Sequence, residues 1–204
     1  MELLCPLPGL LSIIAKRHLH FSLFTFHFHE LFPFDWLLIM KFIVFSDSHG
    51  VSANMIRAVQ AEKPDLCFYL GDGENDLRLL QKRFPRLAVN AVRGNCDMFS
   101  SSPKTLICAA GGLKIFMTHG HLYGVKHDPI LRDLTVAALE ADADVVLFGH
   151  THEPFRDYTM GMHVLNPGSI GPTTRPSYGL IRTGGERVET EVVFMTRESA
   201  PSGY

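Results

Sequence analysis

A chain of 204 residues, 46% hydrophobic and 20% charged, is too apolar for a disordered protein and long enough to bury a core without disulfides. Nineteen Lys and Arg against twenty-one Asp and Glu leave a net charge of −2, which supplies no basic field for non-specific nucleic-acid binding. The four cysteines, Cys5, Cys67, Cys96 and Cys108, form no C-x-x-C pair; this argues against a Cys-rich zinc site or a secreted disulfide scaffold and suits a reducing, cytoplasmic compartment.

Residues 1–39 differ from the rest. They are rich in Phe and Leu and carry Pro6, Pro8, Pro33 and the histidines His18, His20, His27 and His29. No apolar run among them reaches the ~20 residues of a membrane helix. A secretory signal would begin with positive charge and end in small residues; here Glu2 comes first and no A-x-A site follows. Met40 opens M-K-F-I-V-F-S-D-S-H-G, a first strand starting at an initiator. Residues 1–39 are therefore expected to be a disordered, dispensable extension or an over-read start. Residues 40–195 are expected to form the domain, and residues 196–204 a frayed tail.

From Met40 onward, apolar runs alternate with helical patterns. Residues 42–45 predict a strand, followed by the loop composition S-D-S-H-G. Ser52 is placed to cap a helix reaching Lys63, with Met55, Ile56 and Val59 on one face and Pro64 as the stop. Residues 66–70 predict a second strand ended by G-D-G. Leu77, Leu79 and Leu80 mark a second helix ending before Pro85, and residues 87–92 a third strand ended by G-N-C-D. Residues 105–109 and 113–118 flank Gly111 and Gly112 as a hairpin. Asp128 and Pro129 make a cap and first-turn pair for a helix through Leu139. Residues 145–148 predict another buried strand. Beyond it, residues 155–160, 162–165, 178–182 and 187–194 read as strands joined by turns at Gly161 and at Gly184 and Gly185. A βαβα first part and an antiparallel last part predict a layered α/β domain, two sheets face to face with helices outside.

Five of these runs are each followed, within a few residues, by a side chain able to bind a metal ion. Phe45 leads to Asp47 and His49, Leu70 to Asp72, and Val92 to Asn95. Met117 leads to His119 and His121, and Phe148 to His150 and His152. Ligands of α/β sheets bind at the carboxyl ends of strands, where loops converge. Each motif alone is weak: a lone H-x-H or G-D-G is more often a loop or a helix start. Five in one chain are not explained that way. Carboxylates, imidazoles and one amide oxygen, with no thiolate, suit Mn²⁺, Fe²⁺, Zn²⁺, Co²⁺ or Ni²⁺ better than Cu(I) or an iron–sulfur cluster. Seven donors (Asp47, His49, Asp72, Asn95, His119, His150, His152) exceed one tetrahedral ion. They suit two ions about 3.5–4 Å apart, as in phosphatases and nucleases.

D-x-H (Asp47, His49), G-D (Asp72), G-N (Asn95), H-G-H (His119, His121) and G-H-T-H (His150, His152) in this order resemble the calcineurin-like metallophosphoesterase superfamily. G-N-C-D and N-P-G-S (residues 166–169) are similar to its small YfcE-like phosphodiesterase branch. The resemblance implies a four-layer αββα sandwich of two mixed sheets flanked by helices. It also implies Asp47, His49 and His152 on one metal, Asn95, His119 and His150 on the other, and Asp72 bridging, with a water or hydroxide between the ions as nucleophile. Two divalent ions are expected, Mn²⁺ first, then Zn²⁺, Fe²⁺, Ni²⁺ or Co²⁺. The implied reaction is hydrolysis of a phosphate ester, a phosphodiester ahead of a monoester, with Asp72, Asn95 and His121 as catalytic residues.

Many members carry His directly after the metal-binding Asn, where this chain has Cys96. A neutral thiol is a poor acid–base group, so proton transfer falls to the metals alone or to His121, which is equally well read as an outer support. Asp97 is expected to orient a neighbour, residues 166–169 to be a Pro-Gly turn rather than a catalytic loop, and His127 to be solvated. Arg93 is either a strand-end surface residue or a phosphate contact. A small phosphoester is the expected partner, with no stable nucleic-acid complex and no membrane association, and with room for a homo-oligomer. Two other readings are a protein-binding scaffold like the small retromer subunit, expected to have lost a ligand such as Asp72, and a DNA nuclease of the same superfamily, disfavoured by the balanced charge.

Overall fold

The structure, a computed structural model, describes residues 39–184 and 187–196. The expectations for residues 1–38, for the turn at residue 185 and for residues 197–204 lie outside the described residues. In chain order the elements are β1 (Met40–Phe45), α1 (Ser52–Glu62), β2 (Leu66–Tyr69), α2 (Glu74–Arg83), β3 (Ala88–Ala91), β4 (Thr105–Ala110) and β5 (Leu113–Thr118). A 3₁₀ turn (His121–Tyr123), α3 (Arg132–Glu140), β6 (Val145–Leu147), β7 (Pro154–Thr159), β8 (Met162–Pro167), β9 (Ser177–Gly184) and β10 (Arg187–Phe194) follow.

The strands form two five-stranded mixed sheets, ordered β10-β9-β1-β2-β3 and β4-β5-β6-β8-β7. β1, β2 and β3 run parallel in the first, and β5, β6 and β8 run parallel in the second. β1 shows why the sheets stack. Phe42, Ile43, Val44 and Phe45 are all fully buried, as a central strand covered on both faces requires. Phe42 and Val44 enter a core shared with Phe68, Leu70, Ile115, Met117, Leu147 and Leu165, which joins the two sheets. Ile43 and Phe45 face the other way, onto Met55, Val59, Leu77 and Leu80 of α1 and α2. α3 is the crossover between β5 and β6, with Leu134, Ala138 and Leu139 buried. This is the αββα arrangement expected from the pattern. Among the described residues no helix is long and apolar enough to cross a membrane.

Three local expectations are corrected. Ser52 is the first residue of α1 rather than its cap; Val51 holds the cap position, and no side chain caps it. α3 starts at Arg132, beyond Pro129, because Leu131 turns left-handed at φ 52°. Asp128 still caps from a distance, accepting from the Ile130 and Arg132 N–H groups at 3.2 and 2.7 Å. Leu79 is 51% exposed, whereas Leu77 and Leu80 carry the packing of α2. Leu80→Ala should therefore lose about 2–4 kcal/mol of stability, and Leu79→Ala should stay within about 0.5 kcal/mol of the parent. Urea denaturation of both variants checks this.

Candidate metal centre

The parallel strands of both sheets point their carboxyl ends the same way, and the loops leaving them meet there. Backbone bonds stitch the loops together: Asp47 N–H to Gly71 C=O (2.9 Å), His49 N–H to Asp72 C=O (3.1 Å) and Gly149 N–H to His119 C=O (3.0 Å). The turns are tight. Asp47, His49, Asp72, His150 and His152 adopt left-handed φ values of 56°, 41°, 63°, 69° and 62°. Such conformations cost on the order of 1–3 kcal/mol each and persist where surrounding structure over-determines them, with Asp and His tolerating them better than most residues. Gly94 is required by close approach, since a Cβ there would overlap the Asp72 carboxylate.

All seven predicted donors converge. Asp47, His49 and His152 form one group whose donor atoms lie within 4.8 Å of one another, and Asp72, His119 and His150 form a second. Asp47 Oδ1 is 3.2 Å from His152 Nε2, 3.8 Å from His49 Nε2 and 4.0 Å from His119 Nε2. His119 Nε2 is 3.1 Å from Asn95 Oδ1, 3.1 Å from His150 Nδ1 and 3.4 Å from Asp72 Oδ2. Asp72 Oδ2 also lies 4.0 Å from His49 Nε2, so this carboxylate stands between the groups. Asp47, Asp72 and His119 are buried at the floor, while His49, Asn95 and His152 open to solvent.

The donor set fits a cation. His119 Nδ1 lies 2.8 Å from the Leu70 carbonyl, which can only accept, so Nδ1 carries the hydrogen and Nε2 presents its lone pair. That lone pair faces other acceptors. Asp47 Oδ1, buried, has no hydrogen-bond partner, and an unpaired buried carboxylate oxygen is expensive without positive charge nearby. Without a cation, the same atoms draw a proton to His119 Nε2, in the place a cation would take. Burial pushes the Asp72 pKa up, but the hydrogen bond and charge of His119 and the Cys96 N–H outweigh it, and the net shift is downward. Burial opposes protonation of His119, yet bonding to Asp72 and the charges of Asp47 and Asp72 raise its pKa. Burial, then the charges of His119, Lys126 and His121, depress His150 to about 4, leaving a neutral imidazole with a lone pair to give.

Supports lie behind the donors. Asp47 Oδ2 accepts from Ser46 Oγ at 2.5 Å and the His150 N–H at 3.1 Å. Asp76, buried, accepts from Ser48 Oγ and the Gly50 N–H, both at 2.7 Å, and so fixes the loop that carries His49. The Asp97 carboxylate accepts four backbone N–H groups: Asp72 at 2.7 Å, Gly73 at 2.9 Å, Glu74 at 3.0 Å and Gly94 at 2.9 Å. It thereby holds the Asp72 loop, ties it to the Asn95 loop and caps α2 from a distant segment.

Other predicted residues fall as follows. The His121 ring lies 5.4 Å from that of His119, and its buried Nδ1 has no partner. His127 is exposed. Arg93 reaches the Ser100 carbonyl at 3.4 Å and is half-buried, neither wholly surface nor free. Residues 166–169 do turn at Gly168, but they brace the centre as well. Asn166 Nδ2 donates to the Gly149 carbonyl (3.2 Å) and Thr151 Oγ1 (2.9 Å), and Ser169 Oγ donates to the Asp47 carbonyl (2.8 Å). Two contributions escape a reading of residue types. The Cys96 sulfur groups with His49 and Asp72 within 4.8 Å, although no sulfur donor was expected. Burial and the hydrogen bond and charge of Asp72 push its thiol up to about 11, which leaves it neutral, in line with its expected unfitness for proton transfer. The Asp76 brace has no sequence signal, because an acidic residue in the first turn of a helix reads simply as a partner of the helix dipole.

Residues 40–186 match the family described as the calcineurin-like phosphoesterase superfamily domain. The chain belongs to that superfamily. It is 37% identical over 134 residues to the probable metallophosphoesterase YsnB of Bacillus subtilis, covering 64% of this chain and 75% of that protein. Phosphodiesterase YfcE of Escherichia coli is 36% identical over 90 residues, 40% of this chain and 44% of YfcE. Vacuolar protein sorting-associated protein 29 of Schizosaccharomyces pombe is 39% identical over 110 residues, 53% and 56% of the two chains. A crystal structure of a predicted phosphoesterase from Streptococcus pneumoniae aligns with TM-score 0.66 and 28% identity over 80% of this chain and 94% of that one.

The Asp97 brace predicts a variant phenotype. Asp97→Ala strips the acceptor from four N–H groups and should lower stability by about 2–3 kcal/mol. It should also weaken divalent-metal binding by roughly 10–100-fold, the scale of losing a group that orients metal ligands. Denaturant titration and calorimetric metal titration measure the two effects.

Proposed function

We propose that the chain is a phosphodiesterase that works with two divalent cations, Mn²⁺ first among them. The observation that carries this is the place of Asp72. One of its oxygens lies 3.4 Å from His119 Nε2 and 4.0 Å from His49 Nε2, in reach of both donor groups. Asp47, His49 and His152 hold one cation, and Asn95, His119 and His150 the other. Asp72 serves both. Bound there, the pair supplies Lewis acidity, lowering the pKa of water and neutralising phosphoryl oxygens.

The chain's own residues supply position. Leu70 aims the His119 lone pair, Ser46 and the His150 N–H set the Asp47 carboxylate, and the Cys96 N–H fixes Asp72 Oδ1 at 2.8 Å. Little reorganisation is left for the reaction itself, which is where preorganised sites gain most. We assign proton donation to the departing oxygen to His121, whose buried Nδ1 is not taken up by a protein hydrogen bond, although burial lowers its pKa. A small phosphodiester suits the exposed rim, and the likeness to a protein named as a phosphodiesterase favours that class. The scaffold reading draws on the likeness to vacuolar protein sorting-associated protein 29. The retention of all seven donors, Asp72 included, weighs against it.

Asp72→Asn keeps the shape and removes a charge shared by both groups. Metal content per chain should fall at both sites together. Turnover of an aryl phosphodiester should drop by more than the roughly hundredfold cost of losing an outer support. His49→Ala and His119→Ala should instead each empty mainly one site. Two metals retained by Asp72→Asn with near-parental turnover would end the dinuclear reading. For His121→Ala, esters with alkoxide leaving groups should slow by about 10²–10⁴-fold, while p-nitrophenyl esters, which need no proton, should change little. Equal losses on both would assign His121 to support.

A further inference from the structure

Beside the metal centre, Asp97 to Ser100 forms a tight turn closed by the Ser100 N–H on the Asp97 carbonyl at 3.1 Å. Both ends are pinned. The Asp97 carboxylate holds four N–H groups, and Ser100, buried, accepts from Arg93 Nη1 at 3.4 Å and from the Ser102 N–H at 3.1 Å. Turn corners ordinarily carry Gly, Pro, Asn, Asp or Ser. Here the corners are Met98 and Phe99, 75% and 97% exposed. They are two adjacent large apolar side chains on a backbone with little freedom to withdraw them.

Met98 and Phe99 are among the residues lining an open cavity of about 410 Å³ together with His49, Asp72 and Cys96, so the apolar pair adjoins the metal centre across one concave space. That volume is in the range of small-molecule sites. Its charges are already matched. Arg78, the one cation lining it among the described residues, pairs with Glu74 at 2.7 Å, and the carboxylates of Asp76 and Asp97 are taken up by hydroxyl and N–H donors. A second phosphate would find no unpaired cation here, whereas a flat apolar group would cover exposed side chains and disturb no ion pair.

We propose that Met98 and Phe99 are the seat for one ester substituent of the substrate, and that this substituent is an uncharged aromatic ring. The inference rests on the phosphodiesterase reading of the adjoining centre and names the class of ester it selects. Stacking on Phe99 and sulfur–aromatic contact with Met98 are the recognising interactions. Phe99 and Met98 are specificity residues and take no part in the bond change.

The test is a titration of full-length Zn²⁺-loaded protein, carrying ¹³C-methyl methionine, with phenylphosphonate and with methylphosphonate. The Met98 methyl signal, assigned by its loss in Met98→Leu, should move under the ring current of phenylphosphonate and stay in place with methylphosphonate. Phenylphosphonate should bind about tenfold more tightly, the scale of one apolar contact in a pocket. Phe99→Ala should remove that preference, and Phe99→Tyr should keep it. Equal affinities for the two phosphonates in the parent chain, or a Met98 methyl that phenylphosphonate does not move, overturns the proposal. Absence of ester turnover with every divalent cation would overturn the phosphodiesterase reading instead, and the phosphonate titration would still report on the seat.

Discussion

Acceptor atoms brought face to face repel one another, and the centre of this protein is made of such contacts. His119 Nε2 meets Asn95 Oδ1 and His150 Nδ1 at 3.1 Å and Asp72 Oδ2 at 3.4 Å, while Asp47 Oδ1 is buried without a hydrogen-bond partner, 3.2 Å from His152 Nε2. The arrangement is favourable only with positive charge inside it. The rest of the domain can be understood as the apparatus that holds these atoms together. Two sheets fused through Phe42, Val44, Phe68, Leu147 and Leu165 form the rigid floor, and the parallel strands deliver their loops to one edge of it.

Holding the donors requires a second tier of polar groups that are themselves satisfied. Asp97, Asp76, Asn166 and Ser169 are short side chains that accept from or donate to loop backbone, and Ser46 Oγ donates to the Asp47 carboxylate. Each replaces water that a buried loop would otherwise lack. This also accounts for the tolerance of five left-handed donor residues. The strain is local, and the bonds that oppose it come from other loops, so no single loop has to stabilise its own conformation. The same logic explains the glycines next to the donors. Gly94 and Gly149 let one loop lie against the carboxylate or hydroxyl of the next, where a Cβ would collide with Asp72 or Ser46.

The centre is asymmetric across its depth. Asp47, Asp72 and His119 sit at the floor with almost no solvent contact, and His49, Asn95 and His152 form the rim. Electrostatic interactions are strongest at the buried floor, where water screens least. There the charges of Asp47 and Asp72 raise the His119 pKa, and His119 lowers that of Asp72. The rim is where a substrate would meet the protein, and its surroundings differ by side. The Met98 and Phe99 turn lines the space beside His49 and Asp72, while Lys104 and Arg93 are close enough to act on His121.

Much of this was legible along the chain. Apolar runs of strand length, each stopped by glycine or a polar loop and followed by Asp, Asn or His, pointed to the succession of strands along the chain, the class of fold and the seven side chains that the structure brings together. Hydrophobic period and turn chemistry are properties of neighbours in sequence, so they can be read without coordinates. Helix starts were less secure. Asp128 caps α3 from four residues away, across a left-handed Leu131, and Leu79 looks apolar in the pattern but faces solvent. Only the tertiary structure decided which nitrogen of His119 faces the centre, that Asp97 is taken up by four backbone N–H groups, and that Cys96 stands among the donors. It also turned residues 166–169 from a simple turn into a brace, because β8 runs parallel to β6 and ends beside the His150 loop. These outcomes depend on sheet order and on contacts between residues as far apart as Asp47 and Ser169. Such contacts arise when the two sheets pack, and nothing local to either residue encodes them.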